Sequence, residues 1–126
     1  MHSVTSGAVA NALGYLVWEN SDSTVDIGAT TINFDRVVPD SYSKILIEYR
    51  NLTSENYFFF QECEVGKGTY LNAAYTASSG NTLICSRLCD TSRQSITIGI
   101  CRYTNSSSGF REVENRCVPH KIWAIK

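Results

Sequence analysis

The chain has 126 residues, of which 43% are hydrophobic and 18% are charged, and its formal net charge is -1. This length predicts one domain, and this composition is typical of a folded chain rather than a disordered one. The near-zero charge argues against a nucleic-acid partner, and no apolar run reaches the roughly 20 residues of a membrane-spanning helix. We therefore expect a folded domain with no nucleic-acid partner and no membrane insertion.

The first patterned segment, residues 4–16, has apolar side chains at the spacing of one helix face. These are Val9, Ala12, Leu13 and Leu16. Gly14 is placed to end this predicted helix. A lone helix shorter than about 12–15 residues is marginal in water, and the sequence predicts no second helix. We expect it either to lie on the rest of the domain or to join the same helix of other chains.

After this segment the pattern is that of short strands separated by turn residues. Strands are expected at residues 15–19, 24–27, 30–34, 44–49, 57–65, 70–76, 81–89, 95–103 and 117–126. Turns at about every 8–12 residues are typical of a β-sandwich or a barrel. We expect a mainly β fold, an antiparallel, jelly-roll-like β-sandwich over residues 15–126, with residues 1–14 as a separate helical segment.

Two strands carry specific predictions about which side chains face the core. In the last strand both faces are apolar, so both are expected to be covered, and Pro119 is expected to interrupt regular pairing. In the strand at residues 95–103, strict alternation places Ile96, Ile98 and Ile100 inward and Cys101 outward.

The five cysteines do not form a pattern typical of metal binding. They are Cys63, Cys85, Cys89, Cys101 and Cys117. An odd number cannot pair completely within one chain, and zinc sites favour closely spaced pairs. We interpret them as small buried hydrophobic residues of a protein made in a reducing cytosol, and we expect no metal and no cofactor.

No catalytic motif occurs in the sequence, so we expect no enzymatic activity. Glu62 and Glu64 share a strand face, and such a pair could catalyse glycoside hydrolysis, although a solvated surface is the commoner explanation. His120 lies in the last strand, where a packed role is expected.

Residues near strand ends and loops offer a candidate ligand-binding set. It consists of Tyr70, Asn72, Tyr75, Arg87 and Arg111. Tyrosine rings can stack on a sugar face, an amide can bond its hydroxyls, and arginine can bind an anionic group in a forked geometry. Ordinary β packing remains the alternative explanation for each aromatic ring.

Several segments, in order along the chain, match motifs that recur together in one protein family. Residues 2–13 resemble "VTSGAVYNAL", and residues 118–126 resemble the ending "IPYKIYGIK". Residues 16–20, 29–35, 42–50 and 96–99 resemble "LLWTNP", "AQTISLDL", "YDYVLIEYR" and "ITFG". In these segments the chain resembles the distal domains of tail fibre and baseplate proteins from phages and prophages of Gram-positive gut bacteria. His120 stands where the family has tyrosine, Ala124 where it has glycine, and residues 55–93 match no motif.

This resemblance implies a virion component, assembled in the bacterial cytoplasm, that attaches the phage to its host. The family implies a homotrimer whose helical neck, with Val9, Ala12, Leu13 and Leu16 at the interface, leads into β head domains. The implied partners are the remainder of the tail fibre and a bacterial surface glycan or teichoic acid. The alternatives are a structural fibre tip without its own ligand site and, less favoured, a polysaccharide depolymerase. The family segment usually lies inside a longer protein, so a fragment is expected.

Overall fold

The computed structural model describes residues 14–25, 27–50, 58–76, 80, 82–105, 109–112 and 117–126. The predicted neck residues Val9, Ala12 and Leu13 lie outside this part of the chain. Leu16 lies within it, but in a strand rather than a helix, because its backbone pairs with Trp123. The assignment of Leu16 to a helical interface is therefore wrong, and any helix ends before Tyr15.

Within the described residues the structure has ten strands and no helix. The strands are β1 (Tyr15–Glu19), β2 (Thr30–Asn33), β3 (Lys44–Arg50), β4 (Phe58–Glu64), β5 (Gly68–Thr76), β6 (Thr82–Thr91), β7 (Ser95–Ile98), β8 (Arg102–Asn105), β9 (Gly109–Glu112) and β10 (Val118–Ile125). Thr24, expected in a strand at residues 24–27, lies instead in a turn, where the Asp22 carboxylate accepts from the Thr24 N–H at 3.0 Å. Such side-chain bonds of aspartate compete with strand pairing.

The strands form two sheets in which every pairing is antiparallel. Sheet A has the order β1-β10-β3-β4. Sheet B has the order β2-β7-β6-β8-β9, and β5 pairs with β6. A turn at Gly66 leads from β4 in sheet A to β5 in sheet B.

Residues of both sheets contribute to one hydrophobic core. Its fully buried members include Val17, Ile45, Ile47, Ile122 and Ala124 from sheet A and Leu71, Cys85, Cys89, Ile96 and Ile98 from sheet B. Cys85, Cys89, Cys101 and Cys117 are each 0% exposed. This burial confirms that four of the five cysteines serve as small hydrophobic residues, and it mainly explains why the pKa of the Cys89 thiol is raised to about 12.

The two-faced character predicted for the last strand is confirmed. Ile122 and Ala124 belong to the shared core, whereas Trp123 is 0% exposed outside that cluster, with its ring 6.5 Å from the ring of Phe60. The interruption predicted at Pro119 is also confirmed, because the pairing of β10 with β3 shifts register between Pro119 and Lys121.

The strand predicted at residues 95–103 is divided into β7 and β8. Both pair with the same side of β6, β7 through Cys89 to Thr91 and β8 through Leu83 to Ser86. Between these pairings, two residues of β6 stand opposite the three residues 99–101, so the connection from β7 to β8 contains one extra residue. We call residues 99–101 the β7–β8 bulge.

The bulge overturns one sequence prediction. A single extra residue shifts the alternation of side chains, so that residues beyond it exchange faces. Ile100, expected inside, is 40% exposed, and Cys101, expected outside, is 0% exposed.

Candidate ligand-binding groove

The outer face of sheet B is formed by alternate residues of β5 and β6. In β5, Leu71 and Ala73 point into the core, which turns Tyr70 and Asn72 outward. Tyr70 is 54% exposed, a large value for an aromatic residue within a strand. In β6, Ser86 and Leu88 lie on this same outer face.

These strands and the β7–β8 bulge surround a groove of ≈ 290 Å³. Its lining residues are Tyr70, Ser86, Leu88, Gly99, Ile100 and Arg102. Pairing fixes their arrangement: Tyr70 stands opposite Leu88, and Ser86 stands between Asn72 and Arg102. We call this site the sheet B groove.

The groove presents an apolar row beside a polar row. Tyr70, Leu88 and Ile100 form the apolar row. Ser86 and Arg102 form the polar row, which Asn72 extends beyond the groove on the same face; this row lies about 7 Å away because two residues of a strand separate the rows. An apolar row can pack against the flat face of a ligand while amide, hydroxyl and guanidinium groups bond its polar edge.

Tyr49 supports the groove from below. Its buried hydroxyl donates to the Asn72 carbonyl oxygen at 2.6 Å and accepts from the Asn72 N–H at 3.1 Å. Burial raises the pKa of this hydroxyl to about 12. These bonds join a side chain of sheet A to the backbone of sheet B and so fix the strand that carries Tyr70 and Asn72.

Arg87 is not available to a ligand in solvent, which corrects its assignment to the binding set. The residue is 0% exposed, because alternation in β6 turns it to the opposite side from Ser86 and Leu88. Its Nε donates to the Gly99 carbonyl oxygen at 2.7 Å, and an Nη donates to the Ile27 carbonyl oxygen. Both bonds are made to the backbone of the protein itself.

The structure brings together only part of the predicted set. Tyr70 lines the groove and Asn72 adjoins it on the same face, as their shared parity in β5 indicates. Tyr75 lies in β5 and Arg111 in β9, but their side chains are outside what the structure describes.

Sequence reasoning missed Ser86, Leu88, Ile100 and Arg102. The first two could have been found, because antiparallel pairing of the consecutive strands β5 and β6 places Leu88 opposite Tyr70 and Ser86 opposite Asn72. The positions of Ile100 and Arg102 at the groove depend on the β7–β8 bulge. Apart from Gly99, the sequence gives no clear indication of this bulge.

The other acidic residues and the histidine considered as catalytic candidates do not form a site among the described residues. Glu62 lies 3.5 Å from Lys44 in a half-exposed ion pair on sheet A. His120 packs its ring 4.8 Å from that of Phe58, and its Nδ1 lies 2.9 Å from the Glu48 carboxylate. Among the described residues no cluster of three or more His, Cys, Asp or Glu side chains could hold a metal ion. That part of the chain also has no helix able to cross a membrane.

No protein-family model, curated protein or solved structure matches the chain. The resemblance to phage tail proteins therefore stays a hypothesis based on the segments quoted above.

Proposed function

We propose that this chain is the distal domain of a phage tail fibre or baseplate protein, and that it binds a glycan of the bacterial surface. The sheet B groove is the observation that carries this proposal. In this proposal, sheets A and B form a jelly-roll-like β-sandwich head, and residues 1–14 form the neck of a homotrimer. The proposal assigns no enzymatic activity and no cofactor.

The groove suits a saccharide because it offers two different surfaces side by side. A pyranose ring has an apolar face, which the exposed Tyr70 ring can cover, and hydroxyl groups at its edge. Asn72 and Ser86 can donate to those hydroxyls and accept from them, whereas Arg102 can donate. One open groove of this size gives weak binding, but three copies on one rigid head can raise avidity by about 10²–10⁴.

The test is an NMR titration of the ¹⁵N-labelled chain with N-acetylglucosamine, galactose, rhamnose and glycerol phosphate. We expect at least one saccharide to shift the backbone signals of Tyr70, Leu88 and Ile100 together. The Tyr70→Ala variant should weaken that binding by about tenfold, because loss of an aromatic anchor costs more than about 1 kcal/mol.

Phe60→Ala is the matched control, since Phe60 is a similarly exposed aromatic residue, 49% against 54%, in the other sheet. It should leave binding unchanged. The proposal is contradicted if no saccharide, and no preparation of Gram-positive cell wall, shifts the groove signals.

A structural fibre-tip domain without a ligand site is the second candidate, and one observation favours it. Ile84, Leu88 and Ile100 are 53%, 42% and 40% exposed on one face of sheet B. Exposed aliphatic side chains grouped in this way are typical of a protein interface. Leu88→Asp should then dissociate the oligomer, whereas a glycan-binding groove predicts loss of binding with the oligomer intact.

A further inference from the structure

We infer that the buried Arg87 is a positioning residue of the sheet B groove, which fixes the β7–β8 bulge and thereby the placement of Ile100 and Arg102. The inference about shape depends only on the geometry of the groove. Its consequence for ligand binding rests on the proposed function.

Arg87 connects three parts of the chain below the groove. It belongs to β6, its Nε bonds the Gly99 carbonyl oxygen at 2.7 Å, and its Nη2 bonds the carbonyl oxygen of Ile27. The Gly99 N–H in turn donates to the Leu88 carbonyl oxygen at 2.9 Å. Gly99 is therefore held on both sides of its own residue, by the backbone of Leu88 and by the side chain of Arg87.

The bulge creates the need for this side chain. An extra residue disturbs the regular ladder of backbone hydrogen bonds, and a buried carbonyl without a partner is costly. Arginine suits the position because its planar guanidinium presents several donors in a fixed fork and can bond two carbonyls of distant segments at once. Lysine has a single ammonium group on a flexible stem, and it cannot reproduce that fork.

The bulge is also part of the groove. Gly99 and Ile100 line it directly, and Arg102 follows as the first residue of β8. A change in the Gly99 backbone therefore moves an apolar and a charged wall of the site together. Arg87 acts on the ligand only through these residues, because it is itself 0% exposed.

Arg93 provides a matched control in the same chain. Its Nη1 also bonds backbone carbonyl oxygens, those of Pro39 at 2.8 Å and Tyr42 at 3.1 Å. Its Nε lies 3.9 Å from the Asp40 carboxylate. Arg93 thus ties loop backbone as Arg87 does, but it does not line the groove.

The experiment compares Arg87→Lys with Arg93→Lys in the full chain. Amide hydrogen exchange is measured at Gly99, and the methyl signals of Leu88 and Ile100 are recorded. We expect Arg87→Lys to accelerate exchange at Gly99 by about tenfold or more and to shift both methyl signals. Arg93→Lys should change neither, even where its thermal stability falls by a similar amount. If Arg87→Lys does not fold, Arg87→Gln, which keeps a neutral donor for one carbonyl, enters the same comparison.

Wild-type exchange at Gly99 and unchanged methyl signals in the Arg87 variant would overturn the inference. Equal changes in Gly99 exchange and in the two methyl signals of the Arg87 and Arg93 variants would also overturn it. Such changes would show that either substitution destabilises the whole domain. Titration with N-acetylglucosamine, galactose, rhamnose and glycerol phosphate tests separately whether the effect of Arg87 on the bulge also changes ligand binding. If one of them binds the wild type, Arg87→Lys should weaken it by about fivefold or more, and Arg93→Lys should not. Failure of all four to bind counts against the proposed function, and the exchange rate at Gly99 still decides the role of Arg87.

Discussion

Tyr49 shows how one side chain can connect two sheets. It lies in β3 of sheet A, is 3% exposed, and uses its hydroxyl as both donor and acceptor towards the backbone of Asn72 in sheet B. Its ring stacks on that of Phe59, with the centroids 5.6 Å apart. The ring therefore packs within sheet A while the hydroxyl fixes the strand that carries the candidate groove.

Replacement of Tyr49 by phenylalanine keeps the ring and removes the hydroxyl. We expect this variant to lose about 1–3 kcal/mol in the free energy of unfolding, because the Asn72 N–H and carbonyl are left without that partner. Urea denaturation at pH 7 measures the loss. Tyr70→Phe is the control: its hydroxyl belongs to an exposed side chain, and the change should stay within about 0.5 kcal/mol. Equal losses in the two variants would contradict the role assigned to Tyr49.

The same variant has a predicted signature at alkaline pH. The pKa of Tyr49 is raised from 10.0 to about 12 in the folded chain, so the folded state keeps a proton that the unfolded state has lost. Its contribution to stability is fully present below pH 10 and declines as the pH rises towards 12. The wild type should therefore lose stability over this range more steeply than Tyr49→Phe. The buried cysteines add the same pH dependence to both proteins, so the difference between the two curves reports Tyr49 alone. Parallel curves of unfolding free energy against pH would contradict the prediction.

At the scale of elements, β1 depends on a close approach to β10. A Cβ atom added at Gly14 would lie 1.9 Å from the Ala124 carbonyl oxygen, a separation that no real contact allows. Immediately after this point Tyr15 and Leu16 pair with Ala124 and Trp123. Glycine at position 14 is therefore required for the chain to enter the edge of sheet A.

Gly14→Ala should displace the start of β1 and cost more than about 2 kcal/mol in unfolding free energy, because the neighbouring atoms belong to the backbone and cannot rotate away. Gly99→Ala is the matched control, since its added Cβ would meet the Leu88 carbonyl oxygen at 3.4 Å, an ordinary contact. We expect that control to lose about 1 kcal/mol or less. Thermal and urea denaturation of both variants provide the measurement, and a tolerated Gly14→Ala would contradict the packing of β1 on β10.

The period-2 pattern was sufficient to predict that both faces of β10 are covered, because alternation places apolar side chains on each of them. Residue type and an expected position near strand ends select Tyr70 and Asn72, and the structure then shows that both lie on the outer face of sheet B. The same reasoning selects Arg87 and is wrong there, because its position in β6 turns it inward. Alternation along residues 95–103 gave the wrong face for Ile100, because the bulge depends on pairing with β6, and no local pattern contains that long-range contact.

At the scale of the whole molecule, the proposed homotrimer predicts a solution mass of three chains by light scattering, independent of dilution. Val9→Asp places a charge on the apolar face of the predicted neck helix and should reduce the mass to one chain, because an unpaired charge in an apolar interface is costly. Asn11→Asp introduces the same charge on the opposite face and should leave the trimer intact. A monomeric wild type would contradict the proposed neck.

The order of strands in sheet A has a consequence for synthesis of the chain. β10 lies between β1 and β3, so Tyr15 cannot pair until Ala124 has been translated, about 100 residues later. At about 5–20 residues per second, this interval lasts about 5–20 s on the ribosome. Throughout it, the apolar strands β1 and β3 are without the central strand to which both pair. Until β10 emerges, β3 can pair with β4 but sheet A cannot be completed, and the nascent protein carries unpaired strand edges that chaperones, or other nascent copies, can bind.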